Sequence, residues 1–154
     1  MRGVYTADFT ASGITTGPRT LLMLRAPSNG VVEILRASVT NLSNSTSEQI
    51  QAGLFRVTAI GSPVFSGAAN IMKHENLDAT STISASGCIL SGESTFDANP
   101  IDKQGFNNLA GYSYDPLPEE RPIVPPGGYV GLRLTNLTMT SSILTAEIVY
   151  REIG

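Results

Sequence analysis

His74 is the single histidine of the 154-residue chain, and it stands in Lys73-His74-Glu75-Asn76-Leu77-Asp78. A histidine followed at once by glutamate opens the zinc-protease helix motif, whose second histidine comes four residues after the first. Here Asp78 occupies that position, and no further histidine exists to act as a third ligand. A lone imidazole can still serve a nucleophile as general base. Cys88, the only cysteine, is one nucleophile to weigh, and a serine in a tight elbow is the other. Gly92-Glu93-Ser94-Thr95-Phe96 starts like such an elbow but lacks its closing glycine. A solvated loop histidine and a small core cysteine explain both residues without chemistry.

Carboxylates are the other candidate for chemistry. Glu93, Asp97, Asp102, Asp115, Glu119 and Glu120 lie in a stretch with Lys103 as its counter-charge. Asp97-Ala-Asn99-Pro-Ile-Asp102 offers oxygens to a calcium ion, but the glycine and distal glutamate of an EF-hand loop are not in place. A glycosidase pair of carboxylates needs an aromatic-lined sugar cleft as well, and the chain has no tryptophan. The expectation is an acidic surface that is solvated or meets a partner. Phe96, Phe106, Tyr112 and Tyr114 fall in the same stretch, four of the chain's ten aromatic residues. They either pin the stretch to the rest of the fold or anchor a partner. No catalytic, cofactor-binding or metal-binding residue is assigned, and no cofactor is expected.

The elements that would carry these groups are strands. Leu144, Ala146, Ile148 and Tyr150 alternate with Thr145, Glu147, Val149 and Arg151, and Val130, Leu132 and Leu134 alternate before them, with Asn136–Ser142 as loop. These two segments make a plausible antiparallel pair, or lie on opposite sheets if the fold is a jelly roll. Further strands are expected at Val4–Thr10, Arg19–Arg25, Val31–Thr40, Gln49–Ala59 and Thr80–Leu90, a helical turn or two in Ala68–Leu77, and a long loop over about 91–122. Pro125-Pro126-Gly127-Gly128 fixes a turn ahead of the penultimate strand, since proline holds φ and glycine admits positive φ. About seven or eight strands with no amphipathic helix define an all-β, single-domain antiparallel sandwich, jelly-roll-like, over residues 1–154.

One irregularity stands out. Leu22 and Leu24 differ in parity from the apolar Leu21 and Met23, and Val32 and Ile34 differ in parity from Leu35, Ala37 and Val39. A β-bulge or a crossing between sheets would account for two apolar faces. A subunit interface made of Leu22, Leu24, Val32 and Ile34 would also do so.

Bulk composition narrows the partners. The net charge is −3 and only 15% of residues are charged, so no overall positive field exists to attract nucleic acid or anionic lipid. No apolar run approaches the roughly 20 residues that span a bilayer, and no signal peptide is visible in MRGVYTADFT. A single cysteine excludes an internal disulfide and fits a reducing cytosol.

Taken whole, the chain resembles the small jelly-roll decoration, or cement, proteins of tailed-bacteriophage heads. The resemblance rests on TLLMLRAPSNGVVEILRASVTN near the start and on IVPPGGYVGLRLTN and LTAEIVYREI at the end. It implies a non-enzymatic protein, made in the bacterial host cytoplasm, that binds the outer capsid surface of the virion. There it would clamp neighbouring copies of the major capsid protein, as a homodimer or homotrimer, with no nucleic-acid or membrane partner. The same fold class also suits a carbohydrate- or receptor-binding module of a phage tail or surface complex, and a hydrolase using His74 or the carboxylates.

Overall fold

The computed structural model describes residues 3–16, 18–43, 47–136 and 138–154. Strands follow in the order β1 (Gly3–Thr16), β2 (Arg19–Arg25), β3 (Val31–Asn41), β4 (Gln49–Ala59), β5 (Val64–Phe65), β6 (Asn70–Lys73) and β7 (Ser84–Ser86). After them come β8 (Ile89–Ser91), β9 (Thr95–Phe96), β10 (Asp102–Asn107), β11 (Tyr112–Tyr114), β12 (Ile123–Val124), β13 (Tyr129–Asn136) and β14 (Thr138–Ile153). A single 3-10 turn, Pro118–Glu120, is the one helical element among the described residues.

Two antiparallel sheets result, one ordered β11-β3-β14-β1-β6 and the other β10-β4-β13-β2-β7. Without the short strands β6 and β12 in the first and β7 and β9 in the second, each sheet has four strands, and β1/β2, β3/β4, β10/β11 and β13/β14 each divide between the sheets. That alternation is the jelly-roll topology, with its double Greek key. The final two long strands therefore do not pair with each other. Strand β13 lies between β2 and β4, and β14 lies between β1 and β3.

The parity break has a local cause in both strands. Leu132 stands opposite Leu22 and Arg133 opposite Thr20, so Leu21 is an extra residue on β2. Likewise Tyr150 pairs with Ile34 and Val149 with Arg36, which leaves Leu35 as the extra residue on β3. Each bulge shifts the inward parity by one, so Ile34 and Ala37 both face the core although three residues separate them. Leu22, Leu24, Val32 and Ile34 are at most 2% exposed in the single chain and join one core cluster with Leu54, Leu132, Leu134, Leu144 and Ile148. They are core residues of the sandwich and are not available as the expected subunit interface.

The second apolar face of β2 has its own cover. Met23 is buried on the outer side of its sheet, under the excursion that runs from β4 to β10. Phe96 of that excursion packs edge-on against Phe55, with ring centroids 6.0 Å apart. Gly131 lies beneath it, where an added Cβ would come within 2.7 Å of the Phe96 ring.

Two other expectations are corrected. Residues 68–77 form the short edge strand β6 and a turn, with no helix, because Asn70–Lys73 pairs with Tyr5–Asp8. Residues 91–122 are not a long loop: β10 adds to β4 and β11 to β3, so the stretch supplies outer strands to both sheets. Strand β14 also begins at Thr138, earlier than expected. The Pro-Gly turn is as expected: the Gly128 amide donates to the Pro125 carbonyl at 2.9 Å and Gly127 takes φ of 70°. The Gly127 amide also donates to the Pro27 carbonyl at 3.0 Å, which ties this turn to the one between β2 and β3.

Candidate functional site

His74 and Cys88 are held apart by the sheet. The His74 amide donates to the Val4 carbonyl and its Nε2 lies 2.8 Å from Thr6 Oγ1, at one end of β1. Cys88 lies by Phe9–Ile14 on the same strand, three or more residues beyond Thr6, or at least roughly 10 Å at about 3.3 Å per residue. The thiol points at its neighbour's carbonyl, Ile89 O, at 3.6 Å. Burial pushes its pKa up to about 11, against a smaller opposing pull from Arg19. A buried protonated thiol is a packing group, not an activated nucleophile.

The carboxylates are likewise engaged in structure. Glu93 accepts from both the amide and the hydroxyl of Thr20, at 2.8 and 2.7 Å, and lies 3.7 Å from Arg133, which stacks over Phe96. Asp97 caps the Asn99 amide, and Asp102 accepts the Tyr112 hydroxyl proton at 2.7 Å. Only Asp115, Glu119 and Glu120 are fully solvated members of the acidic set. Among the described residues, no three histidine, cysteine, aspartate or glutamate side chains stand together as a metal site.

The four aromatic residues, read as pinning the stretch or anchoring a partner, all pack against the sandwich. Tyr112 is buried, and its hydroxyl pKa is raised by burial first and by the Asp102 hydrogen bond second. Phe106 packs on Tyr112 with centroids 6.0 Å apart, and Tyr114 is a partly buried neighbour of the core. Phe96 is held between Phe55 and Arg133. Tyr112 is buried, whereas Phe96, Phe106 and Tyr114 each keep part of the side chain exposed.

What the stretch displays is Leu109. It is 60% exposed on the turn between β10 and β11, at the end of the sandwich where Leu42 (63%) and Ile143 (39%) are also exposed. Leu42 and Ile143 are joined through the backbone, with the Leu42 amide donating to the Ile143 carbonyl at 2.9 Å. Leu109 is held by an ordered turn: the Asn107 side chain accepts its amide, and the Ala110 amide returns to the Asn107 carbonyl. Asn108, 1% exposed, grips the chain before β4 at both groups of Glu48: its side-chain oxygen accepts from the Glu48 amide and its own amide donates to the Glu48 carbonyl. Leu42, Leu109 and Ile143 are thus exposed at the same end of the sandwich, where β3 ends beside β14 and β10 turns into β11. An isolated Leu109 in Asn-Asn-Leu-Ala-Gly reads as a loop residue, so nothing in the sequence marks its display.

Among the described residues, no helix is long and apolar enough to cross a membrane. The fold is a jelly-roll sandwich with Leu42, Leu109 and Ile143 exposed at one end. The chain matches no protein-family model and no curated protein.

Proposed function

We propose that this protein is a non-enzymatic structural protein of a tailed-phage virion, which binds the outside of the capsid and clamps neighbouring copies of the major capsid protein. The observation that carries the reading is the apolar tip of Leu42, Leu109 and Ile143, held on ordered turns at one end of a jelly roll. Preorganised backbone lowers the entropy lost on docking. Exposed apolar side chains grouped in this way mark contact surfaces on soluble folds. Many copies of a small clamp around a shell gain strength by avidity, because each second contact is effectively intramolecular.

The proposal places the protein on the virion surface after synthesis in the host cytoplasm. Assembly as a homodimer or homotrimer belongs to it as well, with contacts drawn from exposed edges such as β6 or β10. Leu22, Leu24, Val32 and Ile34 have no part in those contacts. Co-sedimentation with heads that lack the protein tests the reading. The wild-type chain is expected to pellet with the heads, and Leu42→Asp and Leu109→Asp, which touch no core residue, are expected to stay in the supernatant. Retention of both variants on the heads would move the contact elsewhere, and failure of the wild-type chain to pellet would end the proposal.

A further inference from the structure

The outer face of the β10-β4-β13-β2-β7 sheet is covered over Met23 and Phe55 but opens at the next row of side chains. There Ser84, Arg25 and Tyr129 stand side by side on β7, β2 and β13, as the pairings of Arg25 with Ser84 and with Tyr129 dictate. Met23 and Ser86 form the adjoining row, and Phe65 and Ile60 of the excursion wall the opening. The result is a concavity of about 210 Å³ with one cation, three hydroxyl side chains and an apolar wall. It lies on the flank of the sandwich and shares no residue with the tip.

Arg25 is the unusual member. Glu147 pairs with Arg36, Glu33 with Arg121 and Arg151, and Glu93 with Arg133. Arg19 donates to the carbonyls of Ile89 and Leu90. Arg25 and Arg56 have no such acceptor among the described residues, and of the two only Arg25 has its guanidinium positioned over a ring, that of Tyr129, 5.3 Å from the centroid. Stacking on an aromatic ring fixes the orientation of the planar fork while leaving its N–H donors free for a carboxylate.

We infer that this concavity is a binding site for a carboxylated pyranose, such as a uronic-acid unit of an acidic polysaccharide. The sugar carboxylate pairs with Arg25, its ring hydroxyls meet Ser84 and Ser86, and its C–H face lies against Phe65 and Ile60. Sites of this kind combine an apolar wall with a few convergent polar groups. Triglutamate offers Arg25 the same carboxylate but has no ring hydroxyls for Ser84 and Ser86 and no pyranose C–H face for Phe65 and Ile60.

The test is a titration of the isotope-labelled protein with a galacturonic acid trimer, followed by NMR, with a neutral glucose trimer and triglutamate as controls. Shifts are expected at Arg25, Phe65, Ser84, Ser86 and Tyr129 with the galacturonate alone. Arg25→Gln is expected to weaken binding at least tenfold, whereas Arg56→Gln, a second arginine outside the concavity, leaves it unchanged. Three results would overturn the inference: no shift at these residues at millimolar galacturonate, equal binding of triglutamate, or equal losses in the two arginine variants.

Discussion

Leu22 faces Leu132 across β2 and β13, and both side chains are fully buried between the sheets. This pairing is possible because the bulge at Leu21 turns the strand by one residue, and it makes Leu22 a core residue. Leu22→Ala is therefore expected to lower the unfolding free energy by about 2–5 kcal/mol, in the range for a buried leucine. Leu22→Asp or Ile34→Asp would bury an unpaired charge and should leave the chain unfolded, not folded and dissociated. Urea denaturation together with light scattering separates the two outcomes. A folded monomer from either aspartate variant would contradict the placement.

Glu152 is almost fully buried and draws the segment after β6 onto β14. Its carboxylate accepts from the Ser81 hydroxyl and from the Thr82 amide and hydroxyl, while the Ser81 Oγ also contacts the Tyr150 hydroxyl at 2.8 Å. Removing the acceptor breaks three part-buried hydrogen bonds to a charged group, each worth about 1.5 kcal/mol or less where water reaches the donor. Glu152→Ala is expected to lose roughly 2–4 kcal/mol of stability, read from its urea midpoint, and to speed amide exchange at Thr82. Unchanged exchange at Thr82 would show that the segment is held by other contacts.

Alkaline pH should weaken the fold before acid does. Burial pushes the Cys88 pKa up from its ordinary 9.0 to about 11, and burial likewise raises Tyr112 and Tyr150 above their ordinary value. Over this window the unfolded chain has released protons that the folded chain still holds, so stability falls as pH rises. The urea midpoint is expected to fall steadily from pH 9 towards 11, with a shallower fall in Cys88→Ala. Native Cys88 should also resist thiol reagents at pH 8 until the protein unfolds. Rapid labelling of the folded protein would contradict the burial.

The turn ahead of β13 depends on one glycine. Gly127 takes φ of 70° with open space at the Cβ position, so a substitution there meets backbone strain and no clash. Gly127→Ala is expected to cost about 1–2 kcal/mol. Thermal melts of this variant beside wild type check the figure, and an unshifted midpoint would mean that the turn relaxes freely.

Strand content and sandwich class were legible in the sequence because alternation along β13 and β14 has no other reading. Placement of those two strands was not, since pairing between neighbours in sequence and crossing between sheets produce the same alternation. The parity of Leu22, Leu24, Val32 and Ile34 signalled an irregularity correctly, but a bulge and an interface leave the same trace in one dimension. The β9–β11 stretch read as loop because its strands have only two, six and three residues. Its aromatic residues marked buried attachment, and the exposed contact residue was the inconspicuous Leu109. Arg25 and Tyr129, more than a hundred positions apart, meet only through the register of β2 and β13.

The claim that this protein clamps a capsid is tested most directly by the temperature at which DNA-filled heads release their DNA, measured with and without saturating protein. Heads lacking it should release DNA at a lower temperature, wild-type protein should restore the higher one, and Leu109→Asp should not. Release at the same temperature with and without bound protein would contradict the clamp, whatever the affinity.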